Sequence, residues 1–128
     1  MKYWIIGLGG FLGAIARYYL SGLAQNALSH GGWALFPVGT LAVNLLGCLL
    51  LGFSASLLLD RQMDPNIRYL VNIGFLGALT TFSTFSLETL NLLEEEEYFY
   101  GFFNVLMSVI FGLLGVWLGK LIYKTLWG

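Results

Sequence analysis

Four stretches of about twenty or more mostly apolar residues fill nearly all of a 128-residue chain, and they limit the fold more than any motif does. They cover residues 3–23, 38–59, 67–93 and 98–118, the last extending further. A helix rises about 1.5 Å per residue, so about 20 apolar residues cross the ~30 Å hydrocarbon core of a bilayer. The breaks are short: Ser29-His30-Gly31-Gly32, then residues 60–65 with Asp60, Arg61, Asp64 and Pro65, then four glutamates at 94–97. Each is turn-like or charged, and none leaves room for a soluble domain. The expected fold is an all-α membrane protein, a single domain over 1–128 with four transmembrane helices. Composition agrees: 10% of residues are charged and 58% hydrophobic, with mean hydropathy +0.78, whereas soluble domains carry roughly 25% charged residues. The 17 glycines suit helices packed closely in lipid. Gly9 with Gly13, and Gly115 with Gly119, have the spacing of small-residue contact faces.

Several function classes fall away. One cysteine closes no internal disulfide, one histidine builds no His-rich metal site, and a net charge of −1 argues against nucleic acid as partner. The glycine-rich start around Gly7, Gly9 and Gly10 lacks the third glycine of a dinucleotide loop, since Leu12 stands there, and no strand precedes it. His30 has no nucleophile to serve, so the chain is not read as an enzyme. The N-terminal stretch mimics a secretory signal, with Lys2, an apolar run and Ala14-Ile15-Ala16, but is read as the first structural helix. Tyr3, Trp4, Tyr18, Tyr19, the aromatics at 98–100, Tyr123 and Trp127 bracket the spans as an interfacial belt.

Charge sidedness sets an orientation. With four spans, Lys2, Arg61, Arg68, Lys120 and Lys124 share one side, while the other carries only His30 and the four glutamates. The positive-inside rule then places both termini in the cytoplasm.

Polar groups inside a span are functional candidates by default. Arg17 lies over halfway along the first span; it either snorkels to the far headgroups or adds positive charge to an anion-attracting vestibule. Asn44, within the second span, is either interhelical glue or a source of two N–H donors for an anion. Glu88 is a structural hydrogen-bonding or interfacial carboxylate, or a proton carrier. The run Thr80-Thr81-Phe82-Ser83-Thr84-Phe85-Ser86 is the most unusual feature. Clustered hydroxyls compete for backbone groups and open a membrane helix, and Gly74, Gly77 and Ala78 loosen the same stretch. An opened turn frees carbonyl oxygens, which suit a hard cation such as Na⁺. Phe82 and Phe85 share a helix face at i,i+3. They either pack against neighbours or turn their positive ring edges to a small anion.

The residues that carry these features also resemble a known family. Gly-Phe-Leu-Gly-Ala-Leu-Thr-Thr-Phe-Ser-Thr-Phe-Ser at 74–86, followed by Glu88, closely resembles the third-helix signature of bacterial fluoride channels, the Fluc or CrcB family. Gly39-Thr40-Leu41-Ala42-Val43-Asn44 and Gly13-Ala14 with Arg17 resemble it too, and the likeness covers essentially the whole chain. The resemblance implies an antiparallel dimer of dual topology with two separate fluoride pores and a broken third helix. Phe82 and Phe85 would face the anions, Asn44 would be the amide ligand and Arg17 the vestibule cation. Ser83, Thr84 and Ser86 would lie in or beside the hydroxyl-bearing stretch, and Ser108 would match a polar-track serine of the fourth helix. Asn104 and Gly112 stand where relatives carry other polar groups. A structural, untransported sodium ion would sit on the backbone carbonyls of Gly77 and Thr80 from both chains.

The chemistry fits this implied role. Fluoride is small, hard and strongly hydrated, and amide N–H, hydroxyls and ring edges replace its water without trapping it on a full counter-charge. The expected function is passive export of toxic cytoplasmic fluoride across the cell membrane. The alternative is a fluoride/proton antiporter using Glu88. A small multidrug exporter would need a carboxylate deep in its first helix, and none is present; a purely structural subunit does not account for the polar third span. The strong Lys/Arg sidedness bears on the assembly. An inverted homodimer of one sequence is favoured by little bias, so pairing with an oppositely oriented paralogue stands beside it.

Overall fold

The computed structural model describes residues 1–128, and every regular element in it is helical. Helix α1 spans Lys2–Leu28 and α2 spans Val38–Asp60. Between them lies a short turn of 3₁₀ helix, Gly31–Trp33. Helix α3 occupies residues 65–79: α-helical at Pro65–Arg68, π-helical over Tyr69–Leu76, and α-helical again at Gly77–Leu79. Helix α4 is Phe82–Glu94 and α5 is Tyr98–Trp127. The start of α3 follows local chemistry. The Asp64 carboxylate accepts from the Asn66 N–H at 2.8 Å, and Pro65 takes the first helical position, where no amide hydrogen is required.

Three segments are long and apolar enough to cross a membrane: Val38–Asp60, Pro65–Glu94 and Tyr98–Trp127. Helix α1 is not among them. At 27 residues its length suffices, but Lys2, Arg17, Gln25 and Asn26, with Tyr18 and Tyr19, dilute its apolar character. The expectation of four apolar spans is therefore met by three segments and one more polar helix packed beside them.

Glycine brings the helices together. A Cβ on Gly9 or Gly13 would overlap the carbonyls of Leu70 and Phe75, so α1 rides directly on the backbone of α3. A Cβ on Gly52 or Gly119 would overlap the Val116 and Leu49 carbonyls, so α2 and α5 touch backbone to backbone. Such close approach is the usual driver of helix association in lipid, where apolar side chains gain nothing by leaving the tails.

Only 20 of 128 residues are buried, and large apolar side chains such as Phe11, Phe82, Leu87, Phe102, Leu113 and Trp117 lie open. A surface of this kind is stable against hydrocarbon or another apolar chain, not against water. The aromatic belt is only partly a belt. Tyr123 is buried against Phe53 and Trp127, and its hydroxyl donates to Asp60 at 2.5 Å, which ties the ends of α2 and α5 together. At the opposite end Trp33, Phe36, Tyr100 and Phe103 form a cluster of rings, with centroids 5.5 Å apart for Trp33–Phe36 and Trp33–Phe103. The Tyr100 hydroxyl donates to the Gly32 carbonyl there.

Candidate functional site

The site starts from two residues that leave the helix. Thr80 (φ −88°, ψ 156°) and Thr81 (φ −151°, ψ 115°) are both extended, between the end of α3 at Leu79 and the start of α4 at Phe82. Asn44 on α2 meets them. Its Oδ1 accepts from the Thr81 N–H at 2.7 Å, and its Nδ2 donates to the Thr81 carbonyl at 3.1 Å. The side-chain amide thus pairs with the peptide as a neighbouring strand would. Thr81 also caps α4: its Oγ1 accepts from the Thr84 N–H at 3.2 Å and donates to Thr84 Oγ1 at 3.0 Å, with Ser83 Oγ 3.3 Å away.

These bonds redirect donors away from carbonyls. In a continuous helix the Thr81 N–H would go to the Gly77 carbonyl and the Thr84 N–H to the Thr80 carbonyl. Here they go to Asn44 Oδ1 and Thr81 Oγ1. The Gly77 and Thr80 oxygens are thereby left without their helical partners, while the Thr80 hydroxyl donates back to Leu76 at 3.2 Å. Released carbonyl oxygens are the type of ligand that a hard cation such as sodium takes, and this chain supplies two of them here.

Beside this interruption runs a groove of about 320 Å³. Asn44, Asn72, Thr80, Thr81 and Ser108 give it polar groups, Phe82 and Phe85 give it rings, and it contains no charged side chain. The two rings are 5.6 Å apart at 46°. Phe82 is 78% exposed, so it is no part of the chain's own core. Ser108 Oγ is buried without a hydrogen-bond partner. Asn44 has committed its oxygen and one N–H to Thr81, so one donor remains for a ligand instead of two.

A second cavity, about 710 Å³, lies towards the glutamate end, lined among others by Tyr18, Tyr19, Gln25, Thr40, Glu88 and Glu95. Thr40 donates to Glu88 Oε1 at 2.8 Å, whereas Oε2 is buried with no partner. Gln25 closes one wall, donating to the Phe36 carbonyl at 3.0 Å and accepting from the Gly39 N–H at 2.8 Å.

The structure therefore gathers Asn44, Gly77, Thr80, Phe82, Phe85 and Ser108 along one groove. Ser83 and Thr84 are engaged in the α4 cap and line neither cavity, and Arg17 lines neither and makes no ion pair. Asn104, buried, donates to Thr89 at 3.0 Å and serves packing between α4 and α5. Sequence reasoning missed Thr40, Gln25 and the pair Ser54–Asn72. The signal was present for Asn72, an amide inside an otherwise apolar run.

An uncharged polar groove along helices built for lipid defines a class: a small membrane protein equipped to accommodate something polar within its spans. The chain belongs to the family described as CrcB-like protein, Camphor Resistance (CrcB), whose profile matches residues 4–120. Among its relatives is a Campylobacter lari protein named fluoride-specific ion channel FluC, 43% identical over 119 residues, covering 93% of this chain and 94% of that one. Proteins of the same name from Geobacter sp. strain M21 and Ruminiclostridium cellulolyticum are also 43% identical over 122 residues, each covering 94% of this chain. They are covered over 95% and 91% of their own lengths.

Proposed function

We propose that this chain is a fluoride-specific channel of the cell membrane and not an enzyme. Two four-span chains, inserted in opposite orientations as an antiparallel dimer, enclose two pores, through which toxic cytoplasmic fluoride leaves passively. The observation that carries the reading is the groove itself, in which the Ser108 hydroxyl and one Asn44 N–H are left for a ligand beside the rings of Phe82 and Phe85, with no charge among the lining residues. Donors without a counter-charge hold a hard anion strongly enough to enter and weakly enough to leave. The relatives' names point the same way. Fluoride enters cells as HF from acid surroundings and dissociates inside, so a passive path suffices to expel the anion.

The break between α3 and α4 gives the sodium expectation a physical basis, because the released Gly77 and Thr80 carbonyls fit such an ion. The bound ion would supply a fixed positive charge that braces the broken helix and favours anions nearby. Arg17 is assigned to the entrance, as a charge that concentrates anions without lining the groove. The exposed apolar faces of α4 and α5 are what lipid and an inverted second copy, or an oppositely oriented paralogue, would cover.

The test is fluoride efflux from liposomes holding the purified protein. A channel gives electrogenic flux that requires a potassium shunt and persists in Glu88→Gln. One observation favours the second reading, a fluoride/proton antiporter: the unpartnered Oε2 of Glu88. Electroneutral flux abolished by Glu88→Gln would establish it and sink the channel.

A further inference from the structure

We infer that Asn72 is a further anion-coordinating residue of the groove, with Ser54 as the residue that orients it; this rests on the fluoride reading above. Asn72 lies in the π-helical stretch Tyr69–Leu76 of α3 and lines the same groove as Asn44, Ser108, Phe82 and Phe85. Its carbonyl accepts from the Gly77 N–H, a reach of five residues. π-helical segments are rare and frequently mark functional positions, and this one is eight residues long.

The side-chain amide is held one way round. Ser54 on α2 stands 2.7 Å from Asn72 Oδ1 and 3.3 Å from the Leu51 carbonyl. A hydroxyl has one proton, and the shorter, side-chain bond takes it. With Oδ1 committed to Ser54, the two N–H groups of Nδ2 are the free face of the amide, and no protein group accepts from them. Asn44 keeps one free donor after pairing with Thr81, whereas Asn72 keeps two. Leu51, Leu76 and Val109 are the aliphatic members of this lining, beside Cys48 and the two phenylalanine rings. Polar groups in such surroundings bond strongly to whatever acceptor arrives. An anion offers acceptor capacity only, so Asn72 coordinates it through Nδ2 without a charge that would hold it fast.

The experiment uses the full chain in liposomes, with fluoride efflux read by an ion-selective electrode. Thermal midpoints in detergent are measured on the same preparations. Asn72→Asp keeps an oxygen for Ser54 and replaces the donor face by a carboxylate; efflux falls about tenfold or more, as expected for losing a hydrogen bond to a charged partner. Asn72→Ser retains one donor and gives an intermediate rate, with half-saturation displaced to higher fluoride. Ser54→Ala frees the amide to rotate and lowers the rate less than Asn72→Asp does. In all three the thermal midpoint stays close to that of the unaltered protein. Efflux from Asn72→Asp at the unaltered rate overturns the assignment. So does a loss of efflux that merely tracks a falling thermal midpoint in all three variants, which marks Asn72 as a packing residue. Unaltered protein that carries no fluoride at all overturns the proposed function, and this inference with it.

Discussion

Asn44 and Thr81 hold one another by two hydrogen bonds, N–H to Oδ1 at 2.7 Å and Nδ2 to carbonyl at 3.1 Å, although 37 residues separate them. In water such a pair would compete with solvent. Within a bilayer it has no such competitor, and an unpaired peptide there costs several kcal/mol. The side chain of α2 therefore does what the next helical turn would otherwise do, and this lets the chain leave the helix at Thr80 and Thr81 while remaining among helices.

Asn44→Ala strips both partners from the Thr81 peptide and should accordingly destabilise the fold by at least about 1–2 kcal/mol, the scale of an interhelical hydrogen bond in model membrane peptides, and should also reduce fluoride efflux. Asn44→Asp should be worse, since a carboxylate would face the Thr81 carbonyl in place of a donor. Thermal unfolding in detergent orders the two. An Asn44→Asp protein as stable as the unaltered one would show that the pairing does not hold the break.

Thr81 has a second task, capping α4 through its hydroxyl. Thr81→Ala should cost about 1 kcal/mol, the usual loss at an N-cap, and Thr81→Ser should recover most of it. Equal thermal midpoints for the Ala and Ser variants would remove the cap from the account.

The glycines differ widely in what surrounds them. A Cβ at Gly52 meets the Val116 carbonyl, whereas at Gly7 and Gly10 it meets nothing within 4 Å. Gly52→Val should therefore abolish monodisperse protein on size exclusion, and Gly7→Ala should be neutral or slightly stabilising, Ala being the better helix former. A well-behaved Gly52→Val protein would contradict the backbone contact between α2 and α5.

Much of this was legible in the sequence, but unevenly. Apolar runs of membrane length mark the helices, and the hydroxyl run at 80–86 marks the place where Thr80 and Thr81 turn out extended. Helix-breaking is a local property, and local composition records it. Partnerships are different. Nothing near Asn44 says that its oxygen is taken by Thr81, nothing near Glu88 says that Thr40 lies 2.8 Å away, and Tyr123 looks interfacial until Asp60 is brought beside it. Each depends on helices meeting at separations of 37, 48 and 63 residues. Ser83 and Thr84 show the converse: members of the hydroxyl-bearing stretch by sequence, they sit against the Thr81 hydroxyl in the cap, at 3.3 and 3.0 Å.

Phe82 offers the sharpest separation of function from fold. Its ring is 78% exposed, its one aromatic partner is Phe85 at 5.6 Å, and it lines the groove that Asn44 and Ser108 also line. Removing an exposed ring takes almost no packing away from this chain, so Phe82→Ile should leave yield, oligomeric state and thermal midpoint nearly unchanged. The aliphatic replacement has similar hydrophobicity but no positive ring edge to present to an anion. Fluoride efflux should consequently fall by at least about tenfold, the scale of one lost charge-assisted contact, while Phe82→Tyr, which keeps a ring, should retain more of it. Efflux at the unaltered rate from a well-folded Phe82→Ile protein would remove the ring pair from the permeation path and leave the amide and hydroxyl donors to account for it alone.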